Sequence, residues 1–192
     1  MAAGLSAASA PLDRIRGRAR VVAVNRSHEL VPWADALYAC DGGFWARYPG
    51  ARAFPGLKFS HDEDACALVP DIIKVTLAKV AGRYVDTPVR EPAGTIACGL
   101  NSGYQALNLV AQTGVRRIIL VAYDMRGKHW HPDHGRGLGN PAADSLAKWA
   151  AHFDAAAPVY ASWGIEVLNA SPISAITAFP KVDLEEALAC CV

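Results

Sequence analysis

The stretch that decides the fold is residues 99–134, which read GLNSGYQALNLVAQTGVRRIILVAYDMRGKHWHPDH. A polar Gly/Asn/Ser turn leads into an amphipathic pattern that predicts a helix over 102–112, and Gly114 ends that helix. The apolar run 118–122 then predicts a buried strand, and a polar loop follows it directly. Ligands of open α/β sheets bind beyond the carboxyl ends of strands and at the amino ends of helices. The stretch therefore indicates half of a site for a small, phosphorylated ligand.

Strands and helices alternate on both sides of this stretch. Short apolar runs predict strands at 20–24, 36–40 and 166–168, with weaker edge strands at 58–60 and 72–78. Helical patterns occur at 44–48, at 140–157, where Pro158 is expected to break or restart the helix, and at 184–190, capped by Asp183. Such alternation produces parallel βαβ units. We expect an α/β, three-layer, Rossmann-like fold with a mostly parallel sheet, in a single domain over residues 1–192.

Composition restricts the class of protein. A chain of 192 residues, 52% of them hydrophobic, is long enough for one compact core. The formal net charge of +1 gives no strong signal for nucleic-acid binding. The five cysteines are odd in number and lack CxxC spacing, which indicates free thiols and a cytoplasmic protein. No apolar run reaches the roughly 20 residues of a membrane span, and a homo-oligomer is left open.

The amino terminus, MAAGLSAASA, is ambiguous. Rossmann-like domains begin with a strand that enters a Gly-rich phosphate turn, and Gly4-Leu5-Ser6 fits such a turn with most of its leading strand absent. Composition alone favours a disordered end instead.

Several polar residues stand where strands end or helices begin. Ser102 and Gly103 open the central helix, where free N–H groups and the helix dipole favour a phosphate or carboxylate; the plain alternative is N-capping by Ser102. On this basis we expect Gly103→Val to abolish ligand binding with little loss of stability. Asn101, beside that turn, is a further candidate. Asn25, Asn169 and Ser171 are candidates for binding a base or ribose, with turn formation as the alternative. Asp41 and Asp124 are candidates for binding a ribose hydroxyl or a metal such as Mg²⁺, with turn initiation as the alternative.

The loop after the central strand contains His129, His131 and His134. Neutral imidazoles suit zinc and other transition metals, although the spacing matches neither HExxH nor a zinc finger. General acid–base catalysis, with His131 or His134 as the base, is a second interpretation, and a solvated loop is a third. Trp130 is a candidate for stacking on a base or sugar, whereas Trp33, Trp45, Trp149 and Trp163 are expected in the core. His28, His61 and His152 have the pattern of surface residues.

Four motifs in this order resemble a known superfamily. They are Gly4-x-Ser6; Asn25 after a strand, with Pro32-Trp33 and Asp35…Asp41; Asn101-Ser102-Gly103, followed by a helix and a strand ending Tyr123-Asp124-Met125; and Asn169-Ala170-Ser171-Pro172, leading to Phe179-Pro180. Together they cover nearly the whole chain. The chain resembles CMP-sialic acid-dependent bacterial sialyltransferases and the 6-hydroxymethylpterin diphosphokinase (MptE-like) superfamily, in particular phage-encoded proteins of about this length.

The resemblance implies a nucleotide-dependent, glycosyltransferase-like enzyme that uses a CMP-sugar or another nucleotide donor. It places Gly4, Ser6 and Asn25 at the nucleotide or sugar, Asn169 and Ser171 at the base, and a loop histidine as the catalytic base. It also implies two alternatives, a pyrophosphokinase that uses ATP and Mg²⁺, or a non-catalytic phage nucleotide-binding protein. The chain departs from the family in its truncated first strand and in lacking a membrane-associating carboxyl-terminal region.

Overall fold

A computed structural model describes residues 1–135 and 138–189. Residues 136–137 of the histidine loop and Cys190 at the end of the last predicted helix lie outside the described residues. The α-helices are α1 Gly42–Arg47, α2 Pro49–Arg52, α3 Glu63–Leu68, α4 Ser102–Ala111, α5 Ala143–Ser162 and α6 Leu184–Ala189. The strands are β1 Val22–Val24, β2 Ala36–Tyr38, β3 Leu57–Ser60, β4 Ile72–Lys74, β5 Thr76–Leu77, β6 Lys79–Val80, β7 Arg83–Tyr84, β8 Thr95–Ile96, β9 Arg117–Leu120 and β10 Glu166–Asn169.

The largest sheet is four-stranded and parallel, in the order β1-β2-β3-β4. Its first two strands are apolar, as expected of strands covered on both faces. The prediction that 58–60 is an edge strand is wrong, because β3 pairs with β2 on one side and β4 on the other. This inner position explains why Lys58 is only 4% exposed; its ammonium group bonds to Asp71 at 2.6 Å.

Residues 1–4 join this sheet to a second parallel pair, β9 and β10. On one side the Met1 amino group donates to the Val22 carbonyl at 2.7 Å, and the Val24 N–H donates to the Met1 carbonyl at 3.0 Å. On the other side the Ala2 N–H donates to Val121, and the Gly4 N–H to Ala122. This is the pattern of a short parallel strand, so the amino end is an ordered part of the fold rather than the disordered tail that composition favours.

An apolar groove of about 830 Å³ lies between β1 and β9, next to Met1. Val22, Val110, Ile119 and Leu188 are among the residues that line it. The Met1 ammonium group lies at its inner end, where burial lowers its pKa from 8.0 to about 5. The fold therefore places a cationic group where an uncharged one is more stable.

Helices α4 and α5 pack in one apolar cluster with β9 and β10. Helix α4 buries Tyr104 and Leu107, and α5 buries Phe153 and Tyr160 in the same apolar cluster. The expected break at Pro158 is wrong: α5 runs on to Ser162. Pro158 lies on the exposed side of the helix, so packing of the opposite face holds the helix together despite the missing N–H.

The described residues form a mixed α/β fold with a four-stranded parallel sheet. His28 is buried at 6% exposure, with its ring edge-on to Phe44 and Phe54, so its prediction as a surface residue is wrong. Among the described residues, no helix combines the length and the hydropathy that crossing a membrane requires.

The buried amino group predicts a pH dependence of stability. Its folded-state pKa of about 5 lies below the ordinary 8.0, so the unfolded chain binds the proton more tightly. The free energy of unfolding should rise between pH 5 and 8, by about 4 kcal/mol at most. Urea unfolding at a series of pH values measures it, with the amino-terminally acetylated chain as control. A rise of equal size in both chains between pH 6.5 and 8 would contradict the assignment to Met1.

The groove predicts that an added strand will stabilise the fold. Four extended β-branched residues fused before Met1 should bury apolar area, pair with the facing strand edges and move the charge out of the interior. We expect a melting temperature several degrees above that of the unextended chain, measured by circular dichroism. The matched control is a Gly/Ser extension of the same length. Equal melting temperatures for the two fusions would mean that the groove does not accept a strand.

Candidate functional site

A crevice opens at the carboxyl ends of β1 and β9, beside residues 2–4 and the amino end of α4. Its volume is about 60 Å³, enough for a phosphate group but far below the roughly 300–1,000 Å³ of pockets that enclose whole ligands. Any nucleotide would thus have its base and sugar in the open mouth. Six of the sequence-predicted residues line this crevice together: Gly4, Asn25, Asn101, Gly103, Asp124 and His129.

Asn25 offers the clearest unused polar group in the crevice. It follows β1 directly and has the left-handed φ of 52°, which a non-glycine residue adopts only at a cost. Its amide oxygen is buried and has no hydrogen-bond partner among the described residues. A buried acceptor without a donor is destabilising unless something else supplies one. A ligand hydroxyl or amino group would satisfy it.

The amino end of α4 is capped by Asn101, not by Ser102. The Asn101 side chain accepts from the Tyr104 N–H at 3.0 Å, and its carbonyl accepts from the Gln105 N–H at 3.1 Å. The Ser102 hydroxyl turns to the end of β2, where it donates to Cys40 Sγ at 2.9 Å and accepts from the Cys40 N–H at 3.3 Å. The interpretation of Ser102 as the cap is therefore wrong. Among the described residues, the N–H groups of Ser102 and Gly103 have no hydrogen-bond acceptor, which is the usual state of the first turn of a helix and leaves them available to an anion.

Gly103 is a packing residue as well as a crevice residue. A side chain there would place its Cβ 2.9 Å from the Tyr123 ring and 3.0 Å from Oδ1 of the Asn101 cap. The expectation that Gly103→Val would leave stability nearly unchanged is wrong, because valine would push against both groups. Loss of binding in that variant would not identify a phosphate contact.

Asp124 anchors the amino-terminal segment. It is 1% exposed, and its two carboxylate oxygens accept from the Ser6 N–H at 2.8 Å and the Ser6 hydroxyl at 2.6 Å. Gly4 makes this contact possible, since a Cβ on it would lie 2.5 Å from both the Ala122 carbonyl oxygen and the Asp124 carboxylate. Ser6 and Asp124 thus bind each other across 118 residues, which leaves this carboxylate poorly placed for catalysis or for a metal.

Two cationic side chains of the crevice went unnoticed in the sequence. Arg126 and Lys128 line it, and both are exposed. They follow the strand end through a sharp turn in which Ala122 and Met125 have φ values of 60° and 47°. Basic residues directly after a buried strand were the available signal. Together with the amino end of α4 they give the crevice a positive character suited to an anion, because the Asp124 side chain that also lines it has both oxygens bonded to Ser6.

The histidine loop is fastened to the amino-terminal segment. The backbone N–H of Trp130 donates to the Ala3 carbonyl at 3.2 Å, and His129 forms a β-bridge with Gly4. His129 lines the crevice, while His131, at 4% exposure, lies behind it with His134. Burial, with the neighbouring histidines, lowers the pKa of His129 to about 4. Burial also lowers the pKa values of His131 and His134, so all three rings favour the neutral form.

Two of the tryptophans differ from expectation. Trp130, predicted to stack on a ligand, does not line the crevice; its ring faces the Arg26 guanidinium at 5.7 Å. Trp149, predicted in the core, is half-buried and lines the crevice instead. Trp45 is fully buried as expected, and Trp33 and Trp163 are partly buried.

Seven predicted site residues do not line the crevice: Ser6, Ser102, His131 and His134, described above, and Asn169, Ser171 and Asp41. The Asn169 side chain accepts from the Ser171 N–H at 3.1 Å, and Ser171 Oγ accepts from the Tyr123 N–H at 2.8 Å. Both residues are 1% exposed, so they hold the end of β10 against the segment after β9. Asp41 is exposed and precedes α1, without a side-chain cap bond.

The close approach of Gly4 to Asp124 predicts a strong effect of Gly4→Ala. The added methyl group would strike the Ala122 carbonyl and the carboxylate, and we expect a loss of about 1–3 kcal/mol in the free energy of unfolding. Urea unfolding measures it. Gly139→Ala is the matched control, because a Cβ there meets no atom within 4 Å. Similar midpoints for Gly4→Ala and the unmodified chain would show that the segment is not held in this position.

Comparison of the chain with protein-family models, with curated proteins and with solved structures finds no match.

Proposed function

We propose that this chain is a nucleotide-dependent transferase of the glycosyltransferase-like kind, with the donor phosphate bound in the crevice. The observation that carries the proposal is the meeting of three features there: the unpaired Asn25 amide oxygen, the amino end of α4, and Arg126 with Lys128. The last two features suit a phosphate, since anions bind at helix amino ends and beside cations, and parallel-sheet proteins place them at strand carboxyl ends. The Asn25 oxygen is an acceptor and would bind a hydroxyl or amino group of the donor. The order of motifs resembles CMP-dependent sialyltransferases, which makes a CMP-sugar the first donor to test and a three-layer, Rossmann-like arrangement the proposed fold.

The proposed chemistry uses a loop histidine as the base. The acceptor hydroxyl gives its proton to a neutral imidazole, its oxygen forms the new bond at the anomeric carbon, and the bond to the donor phosphate breaks. The electron pair of that bond leaves with the phosphate. The helix N–H groups, Arg126 and Lys128 stabilise the charge that develops there. His129 is the ring that lines the crevice, with His131 and His134 beside it.

The pyrophosphokinase alternative has less support from the side chains. Such an enzyme would hold Mg²⁺ with carboxylates at the site. Asp124 is engaged with Ser6 through both oxygens, and Asp41 does not line the crevice. The non-catalytic binding protein is separated from the transferase by experiment: incubation with a CMP-sugar should release CMP if the chain is an enzyme.

Asn25 provides a test in which binding and stability change in opposite directions. Asn25→Gly removes the amide and relieves the left-handed backbone, so it should weaken nucleotide binding at least about 10-fold while the melting temperature stays constant or rises. Isothermal titration with CMP, UDP, GDP and ATP measures the first effect and circular dichroism the second.

The matched control is Ala81→Gly, because Ala81 has a φ of 49° in the exposed turn between β6 and β7. It should leave nucleotide binding unchanged. Unaltered binding in Asn25→Gly would remove Asn25 from the site. Failure of all four nucleotides to bind at millimolar concentration would overturn the proposed function.

A further inference from the structure

The three histidines of the loop form a compact cluster. The ring centroids of His131 lie 4.8 Å from those of His129 and of His134, and His129 and His134 are 5.7 Å apart. One ring nitrogen from each lies within 4.8 Å of the other two. The three histidines come from six consecutive residues. That spacing alone does not require their side chains to lie this close together or to be buried.

Two of the rings are held by hydrogen bonds on one nitrogen. Nδ1 of His131 lies 2.8 Å from the Pro132 carbonyl oxygen, and Nδ1 of His134 lies 2.8 Å from the Tyr48 hydroxyl. A carbonyl can only accept, so His131 carries its proton on Nδ1 and presents a bare Nε2. Bonds of this kind fix the tautomer and the orientation of metal-binding histidines in proteins.

The backbone of the cluster is fastened on both sides. Asn140 accepts from the His134 N–H at 2.8 Å and donates to the His134 carbonyl at 3.2 Å. At the other end, His129 forms its bridge with Gly4. The cluster is therefore held between the amino-terminal segment and the start of the α5 region, as a site with a fixed set of donors requires.

Two cationic side chains, Arg26 and Arg47, lie near the cluster, and the charge of Arg26 is largely compensated. Arg26 faces the Trp130 and Tyr48 rings beside the cluster, and a cation there would repel a metal ion. Glu29 binds the Arg26 guanidinium through both oxygens, at 2.7 and 2.8 Å. The Asp133 carboxylate, within the same loop, is paired with Lys128 at 3.2 Å, so these two charges offset each other.

We propose that His129, His131 and His134 together bind one transition-metal ion, with Zn²⁺ as the ion that this donor set favours. Zn–N distances of about 2.0–2.1 Å place tetrahedral ligand nitrogens roughly 3.3 Å apart, so small ring rotations complete the site. Three imidazoles leave a fourth position for water. His129 lines the crevice, which places that position at the crevice edge.

A metal would change the role of the loop. Nitrogens that bind Zn²⁺ cannot accept a proton, and a zinc-bound water with a pKa near 7 would take over as the base or nucleophile. The metal site itself does not depend on the proposed transferase activity, because it is defined by the loop residues alone.

The test is titration of the chelator-treated full chain with Zn²⁺ in the absence of nucleotide. We expect one tightly bound ion per chain by calorimetry and, with Co²⁺ as the probe, the visible absorption of a tetrahedral nitrogen site. His129→Gln and His131→Asn should each weaken Zn²⁺ binding by about 100-fold or more, and Tyr48→Phe by about 10-fold. His61→Gln and His152→Gln are matched controls outside the cluster and should bind as the unmodified chain does.

The variants and spectra also give the outcomes that overturn the proposal. His129→Gln alters a half-buried side chain and should remain folded. An unchanged Zn²⁺ affinity in that variant would overturn the proposed metal site. A Co²⁺–thiolate charge-transfer band that disappears in Cys190→Ser/Cys191→Ser would assign binding to cysteines instead. Tyr48→Phe alters the cluster without removing a metal ligand. Weaker Zn²⁺ binding in that variant therefore supports the site even if His131→Asn does not fold.

Discussion

The bond between Asp124 and Ser6 is the constraint on which the rest of the structure depends. It ties residue 6 to the segment after β9 through two short hydrogen bonds to a buried carboxylate. Removing the Ser6 hydroxyl would leave one oxygen of the buried Asp124 side chain without its donor, which costs more than the bond itself contributes. The bond thereby holds residues 1–4 between β1 and β9, where they connect the four-stranded sheet to the β9–β10 pair.

The crevice results from this position of residues 1–4. Gly4 can lie against Asp124 only because it has no side chain, and its neighbour Ala3 accepts the hydrogen bond that fastens the histidine loop. Ala122 and Met125, which also line the crevice, have left-handed backbones. Each such residue costs on the order of 1 kcal/mol or more. Ser171 and Ser174 offset part of that cost by bonding to the Tyr123 N–H and carbonyl.

The histidine loop can support two chemistries that exclude each other. As free imidazoles, the rings favour the neutral form, which can accept a proton beside the crevice, and their lowered pKa values make them weaker bases than an ordinary histidine. As metal ligands, the same nitrogens would be occupied, and a bound water would act in their place. The hydrogen bonds to Pro132 and Tyr48 orient the rings in either case, so the geometry of the loop is relevant to both.

The sequence by itself determined the local elements, because apolar periodicity and turn residues act over a few positions. The strands at β1, β2, β9 and β10, helix α4 and the polar residues at strand ends were all predictable in this way. Asn25, Asn101, Gly103 and His129 were named as candidates from their places in the chain, their chemistry and the family resemblance, and all four line the crevice, which is lined by other residues as well.

Only the tertiary structure decided what each of these residues contacts. Asp124 was indistinguishable from a metal ligand until the fold brought Ser6 to it from 118 residues away. Ser102 reads as a cap until Cys40, 62 residues earlier in the chain, takes its hydroxyl. Asn169 and Ser171 end a strand as ligand-binding residues do, yet they bond to each other and to Tyr123. Hydrogen-bond partners far apart in the chain leave no periodic trace in the sequence, since they are set by how the elements pack.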